Sequence, residues 1–73
     1  MVPMAFVNSG KNMNVKRIMI IGDMGKKIRE MGFVEDNTIQ MIKNDGMSII
    51  VGINGSRLAL DKNMARKIIV DEI

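Results

Sequence analysis

The stretch Met47-Ser48-Ile49-Ile50-Val51-Gly52-Ile53-Asn54-Gly55-Ser56-Arg57-Leu58-Ala59-Leu60 constrains the fold more than any other part of the chain. Met47, Ile49, Val51 and Ile53 occupy every second position, the spacing that sends alternate side chains to one face of a strand. Asn54-Gly55 follows at once. Both residues tolerate the positive φ that a type I′ turn requires at its two central positions, so the chain is expected to fold straight back. Ser56 to Leu60 then forms the returning strand, with Leu58 and Leu60 on the inner face. An isolated hairpin is marginal in water, so this apolar face has to be covered by the rest of a chain of only 73 residues.

The other segments can do this. Asp61 is placed to cap a single helical turn, Lys62 to Arg66, after which Ile68 and Val70 re-enter the sheet so that residues 67 to 71 pair with a free edge. Upstream, Ile39 and Met41 share a face of a strand over 37–43, and Asn44-Asp45-Gly46 is a turn. Pro3 to Val7 reads as a short extended start closed by Asn8-Ser9-Gly10. Between these lies a strand over 13–21 in which Met13 and Val15 alternate in one phase and Ile18 and Ile20 in the other. That change of phase predicts a bulge or sharp bend at Lys16-Arg17. Asp23 is expected to cap a helix in which Met24, Ile28 and Met31, spaced by four and three, form the inward stripe, and Gly32 stops it. Five or so short strands, a short helix after the second and a helical turn before the last are best stabilised by wrapping round one core. The expected fold is mainly β, a small SH3-like barrel, in a single domain over residues 1–73.

Composition narrows the chemistry. With no Cys, neither disulfides nor thiolate metal sites are available, and with no His the commonest general base and transition-metal ligand are missing. Two Phe with no Trp or Tyr leave an aliphatic and methionine-rich core. The net charge of +3 is uneven: residues 1–34 hold six Lys/Arg against two acidic residues, and residues 35–73 hold five against six. That bias favours anionic partners, whether acidic protein faces, phosphate or nucleic acid. No apolar run approaches the ~20 residues of a membrane span, and no basic segment precedes an apolar core at the amino terminus. A cytoplasmic location is expected.

At several places the sequence resembles a known family. Gly10, Lys16-Arg17, the block Lys26-Lys27-Ile28-Arg29-Glu30-Met31-Gly32-Phe33, Gly46, then Ser56-Arg57-Leu58-Ala59-Leu60, Ala65 and Ile68-Ile69-Val70 fall in the order of the ferrous-iron transport protein A (FeoA) domain. The resemblance runs from about Met4 to Val70. Glu35-Asp36 stands where that family usually has Pro-Gly, Gly46-Met47 where many members have Gly-Pro, and Met31 and Phe33 replace leucines. The resemblance implies a small cytoplasmic accessory or regulatory protein of a membrane ferrous-iron transporter whose main subunit carries a GTPase domain. It implies no catalytic residues. A related barrel closes some iron-dependent repressors, attached to a DNA-binding part that is not expected within residues 1–73.

The residues bear on that expectation independently. Ser9, Ser48 and Ser56 have no His to activate them, and the carboxylate pairs Glu35-Asp36 and Asp71-Glu72 lie at a turn and at the end of the chain. Gly22-Asp23-Met24-Gly25-Lys26-Lys27 resembles a phosphate-binding loop, but only two residues separate the glycines and no Ser/Thr follows the lysine. The chain is therefore read as non-enzymatic and without a cofactor. Nine methionines suit a soft cation, but core filling is the plainer reading, and no metal site is assigned. Lys26, Lys27 and Arg29 on the outer helix face are the first candidates for binding a partner, and Arg57 is the second because it interrupts an apolar strand beside a tight turn. The plainer readings are a solvated helix face and a rim charge covering the sheet with its aliphatic stem. Lys16 and Arg17 with the helix cations would make a phosphate-directed patch, so the alternative is a nucleic-acid-binding or repressor-type barrel in iron-dependent regulation. Missing aromatic platforms argue against single-strand stacking. An open strand edge, or the apolar tail at Ile73, would let two copies pair.

Overall fold

The computed structural model describes residues Met1–Ile73. Six strands form one sheet: β1 (Val2–Pro3), β2 (Asn12–Ile18), β3 (Thr38–Asn44), β4 (Ser48–Ile53), β5 (Ser56–Asp61) and β6 (Ile68–Glu72). Helix α1 (Gly22–Glu30) separates β2 from β3, and the single turn α2 (Lys62–Ala65) separates β5 from β6. The spatial order is β1-β6-β2-β3-β4-β5, with every neighbouring pair antiparallel. The sheet curls round its own apolar face, giving a body of 29 × 24 × 23 Å. This is the SH3-like barrel expected from the strand pattern. The last strand, however, does not simply add to an edge. It lies between β2 and a two-residue β1, pairing Val15 with Val70 on one side and Val2 with Val70 on the other.

The hairpin forms as expected. Asn54 and Gly55 have φ of 50° and 80°, and β4 pairs residue for residue with β5 from Ser48↔Asp61 to Ile53↔Ser56. Ile49, Val51, Ile53 and Leu60 are buried, and Leu58 is partly so. Met47 departs from the alternation, being 85% exposed. The cause is the preceding turn: one carboxylate oxygen of Asp45 accepts the backbone N–H groups of Met47 and Ser48, both at 2.9 Å. That Asx turn takes Met47 out of the strand, which begins at Ser48.

The bend in β2 is also present. Its register with β6 runs Val15↔Val70 and then Arg17↔Ile69, leaving Lys16 unopposed. Regular pairing ends at Ile18 and not at Ile21, although Ile20 is buried. A second bulge lies in β3, where Met41↔Val51 is followed by Lys43↔Ile50 and Ile42 is passed over. Adjacent Met41 and Ile42 are the sequence sign of that phase change. The two bulges bend neighbouring strands, and together they let so short a sheet close round its interior.

Seventeen buried residues fill that interior. Met13 and Val15 of β2, Ile39 and Met41 of β3, and Ile68 and Val70 of β6 face the β4–β5 hairpin. Residues 3–7, expected to be extended, instead make one 3₁₀ turn over Met4–Phe6. This turn seats Met4, Ala5 and then Val7 in the core while leaving Phe6 66% exposed. Asn44 holds the turn in place: its Nδ2 donates to the carbonyls of Ala5 (3.0 Å) and Val7 (2.8 Å), and its backbone N–H donates to Ser9 Oγ (2.9 Å). These bonds satisfy backbone carbonyls that a 3₁₀ turn cannot pair internally.

Helix α1 differs most from expectation. Its N-cap is Ile21, with no side-chain cap, and Asp23 lies in the first turn, where it acts only on the helix dipole. The inward residues are Gly25 and Ile28, whereas Met24 and Met31 are 49% and 44% exposed. The helix thus touches the barrel along a narrower strip than a stripe of three methionine and isoleucine side chains would give. At nine residues it is too short to persist alone. Burial of Ile28 and of Phe33 just beyond it, about 1.5–3 kcal/mol each, holds it down. Gly32 sits at φ 114° beyond the end of the helix, as expected of the residue that stops it. The second turn follows expectation, since Asp61 accepts the Met64 N–H at 2.7 Å.

Two outcomes follow from this geometry. A Cβ at Gly25 would run into the carbonyl of Ile20, so the usual gain of about 1 kcal/mol from Gly→Ala in a helix is reversed. Gly25→Ala should destabilise the fold by about 1–3 kcal/mol, read as a lower urea midpoint with an unchanged slope. The two backbone N–H bonds to Asp45, from Ser48 and then Met47, hold its carboxyl below the ordinary 3.8. Because the folded pKa is the depressed one, this group's contribution is present above the unfolded value and is lost as pH falls through the folded one. A carbon-detected NMR titration should find the Asp45 midpoint below 3.8, and Ser48→Pro, which removes one donor, should move it upward.

Candidate functional site

Lys26, Lys27 and Arg29 are all exposed on α1, spread over roughly 160° of its surface. At about 100° per residue, Arg29 lies one turn above Gly25, on the flank facing β2. Its guanidinium bends back so far that a Cβ on Gly25 would stand 3.0 Å from Nη1. Lys27 shares the opposite flank with Met24 and Met31, and Lys26 points away from the barrel.

Arg29 meets the bulge instead. Lys16, Arg17 and Arg29 line a groove of about 240 Å³ whose apolar parts are Ile18, Phe33 and Val34. The bulge places the two basic side chains there: the extra residue at Lys16 lets consecutive Lys16 and Arg17 both reach the groove, where regular alternation would put one on each face. Glu35 closes one side of the groove. Lys16 pairs with Asp36 at 3.7 Å, and neither Arg17 nor Arg29 has a carboxylate within 4.0 Å. Of the five basic residues expected to make a phosphate-directed patch, these three line the groove and Lys26 and Lys27 do not.

The segment Val34–Asn37 makes the rim of this groove. It is a turn closed by Asn37 N–H donating to the Val34 carbonyl at 3.1 Å. Asp36 occupies its third position with φ 71°, the sign that glycine supplies in a Pro-Gly turn. Its backbone is fixed to β2 on both sides, the N–H donating to Val15 O at 2.7 Å and the carbonyl accepting from Asn14 Nδ2 at 3.0 Å. Glu35-Asp36 therefore keeps the left-handed backbone that Pro-Gly would have provided, at some conformational cost.

Arg57 belongs to a different place. It is exposed on β5 opposite Gly52 and borders a groove of about 320 Å³ together with Gln40, Ile42 and the Asn54-Gly55 tip. Gly52 leaves the outer face open there, since a Cβ would come 3.3 Å from Ile42 Cδ1. The apolar members of both grooves were not foreseen. Ile42 becomes accessible through the β3 bulge, and Phe33 and Val34 join Ile18 only through the path of the chain after α1.

No group of three or more Asp, Glu, His or Cys side chains is placed to share a metal ion. Met4, Met13 and Met41 are core residues, and Met1, Met19, Met24, Met31 and Met47 are exposed. Ser9 and Ser48 serve the loops around Asn44 and Asp45. No helix is long and apolar enough to cross a membrane.

A six-stranded antiparallel sheet curled round an aliphatic core, with a short helix between its second and third strands, defines a small SH3-like barrel protein. The FeoA domain model matches residues 2–72, and the chain belongs to the FeoA family. A Methanocaldococcus jannaschii protein provisionally named Fe(2+) transport protein A is 28% identical over 72 residues, covering 99% of this chain and 88% of that one. The crystal structure of an iron uptake regulatory protein, FeoA, superposes with a TM-score of 0.90 at 27% identity, covering 99% of this chain and 97% of the other. The zinc complex of Stenotrophomonas maltophilia FeoA, described as a procaryotic SH3 domain protein, superposes with a TM-score of 0.85 at 19% identity, covering 97% and 91% of the two chains. At that identity the likeness concerns the fold.

The strained turn gives a direct test. Asp36→Gly relieves the left-handed backbone and loses only an exposed ion pair, whereas Asp36→Ala loses the pair and keeps the strain. The glycine variant should be the more stable of the two by about 1 kcal/mol, or a thermal midpoint several degrees higher.

Proposed function

We propose that this chain is a non-enzymatic accessory protein of ferrous-iron transport, which acts by docking on the cytoplasmic face of the membrane transporter's GTPase-bearing subunit. The observation that carries the reading is the family match over residues 2–72. The names of its relatives agree with it: one is provisionally named Fe(2+) transport protein A, and another is called an iron uptake regulatory protein. The surface fits the same role. Two open grooves and an α1 flank carrying Met24, Met31 and Lys27 offer contact area. Methionine suits this use because its side chain adapts to a partner at low cost. A regulator of this kind changes the transporter's cycle only by binding one of its states more tightly than another. The clustering of Lys16, Arg17 and Arg29 favours one other reading, a phosphate-directed nucleic-acid surface.

A titration of ¹⁵N-labelled protein with the transporter's soluble GTPase domain, loaded with GDP and then with a GTP analogue, tests the proposal. Amide shifts confined to α1, the Lys16–Arg17 groove or the Arg57 groove, and stronger with one nucleotide, are the expected result. An absence of shifts with both forms and with the full membrane subunit in detergent would overturn it. Shifts produced by duplex DNA alone, and lost steeply between low and moderate salt, would put the nucleic-acid reading in its place.

A further inference from the structure

The groove between the β2 bulge and α1 has a chemistry narrower than general stickiness. Its apolar floor is made by the half-buried Ile18 and by Val34, which is 45% exposed, while Phe33, also in the lining, is fully buried. Above that floor stand two guanidinium groups, Arg17 and Arg29, that have no carboxylate partner in the fold. Arginine left unpaired over an apolar surface is suited to a carboxylate that arrives with hydrocarbon attached: the planar fork takes the carboxylate in two parallel hydrogen bonds, and its weak hydration lowers the cost of drying the contact. Nucleic acid would use the charge but not the floor, and the groove offers no aromatic face on which a base could stack. An apolar helix would use the floor but leave both guanidinium groups buried without partners, which is costly. Glu35 at the rim sharpens the choice, since it repels a carboxylate set one position away from the two arginines.

We infer that this groove is the seat of an acidic polypeptide segment of the partner, one in which Asp or Glu residues alternate with an aliphatic side chain, with the carboxylates on Arg17 and Arg29 and the aliphatic group on Ile18 and Val34. This rests on the reading of the chain as a docking module and specifies the chemistry of what it docks on. It assigns Arg17 and Val34 to the contact beside Arg29, and it leaves Lys26, Lys27 and Arg57 outside it.

The probe is a fluorescein-labelled peptide of Glu-Glu-Leu repeats, compared with a Glu-only peptide of equal length and with duplex DNA, at moderate salt. The Glu-Glu-Leu peptide should bind the tightest of the three and should shift the amides of residues 16–18, 29 and 33–35. Arg17→Glu with Arg29→Glu should weaken it roughly tenfold or more, and Arg66→Glu with Lys67→Glu, the same change in net charge, should weaken it about twofold at most. All four positions are exposed, so the variants keep the fold, which their amide spectra would verify. Val34→Ser should reduce binding of the Glu-Glu-Leu peptide and leave the Glu-only peptide unchanged. Equal losses in the two charge-reversal pairs, equal binding of all three probes, or shifts centred on Arg57 would each overturn the inference. Peptide bound in the groove, with the GTPase subunit binding nowhere, would retain the groove and remove the named partner. The subunit bound at the Arg57 groove alone would do the reverse.

Discussion

β2 has to satisfy two ladders at once, and the rest of the molecule depends on how it does so. Asn12 to Asn14 pair with Thr38 to Gln40 on one side, while Met13 to Ile18 pair with Ile68 to Glu72 on the other. Both partners are distant in sequence, so closing them carries most of the chain-entropy cost of this fold. A straight strand could hold both only in a flat sheet. The unopposed Lys16 bends β2 midway, and the bend turns Met13 and Val15 inward against Ile39, Met41 and Val70. The same extra residue delivers Lys16 and Arg17 to the outer groove. A single irregularity therefore shapes both the core and the surface that carries the charge.

A chain of this size has little stability to spare, and it has no disulfide to add any. It compensates with a core almost wholly aliphatic and with asparagines that complete the backbone where the ladder stops. Asn44 fastens the amino-terminal 3₁₀ turn to β3. Asn37 does similar work at the other irregular segment, with its Nδ2 donating to the Gly32 carbonyl at 2.7 Å and lying 3.4 Å from Asn54 Oδ1. The helix end, the turn before β3 and the tip of the β4–β5 hairpin thus meet at one polar knot. Among buried side-chain polar atoms only Asn14 Oδ1 lacks a partner.

What the sequence disclosed depended on how local the cause was. Ile49, Val51 and Ile53 alternate because β4 is regular, and Asn54-Gly55 marks its turn because the required backbone is intrinsic to those two residues. The β2 bulge was legible as a change of phase. Spacing places Met24, Met31 and Met47 inward, yet they are exposed, because spacing says which residues share a face and not how wide a strip the barrel covers. Met47 was displaced by a hydrogen-bonded turn that periodicity does not register. The 3₁₀ turn at Met4–Phe6 depends on Asn44, some forty positions away, and no local signal announces it. The basic residues were visible as a set, but their division into a groove with Lys16, Arg17 and Arg29, a helix flank with Lys27 and a separate groove with Arg57 is a product of topology.

The interior has one further consequence. Phe33 is the only aromatic side chain in the core, and the other, Phe6, stands at the surface. With no Trp or Tyr the protein is nearly transparent at 280 nm, and its own unfolding changes no tryptophan or tyrosine fluorescence. The methionines take over the role of reporters. Met4, Met13 and Met41 sense the core, while Met24, Met31 and Met47 look outward from three different places. Methyl-labelled methionine would place one set of spectroscopic probes inside the barrel and another on its faces, with no residue replaced.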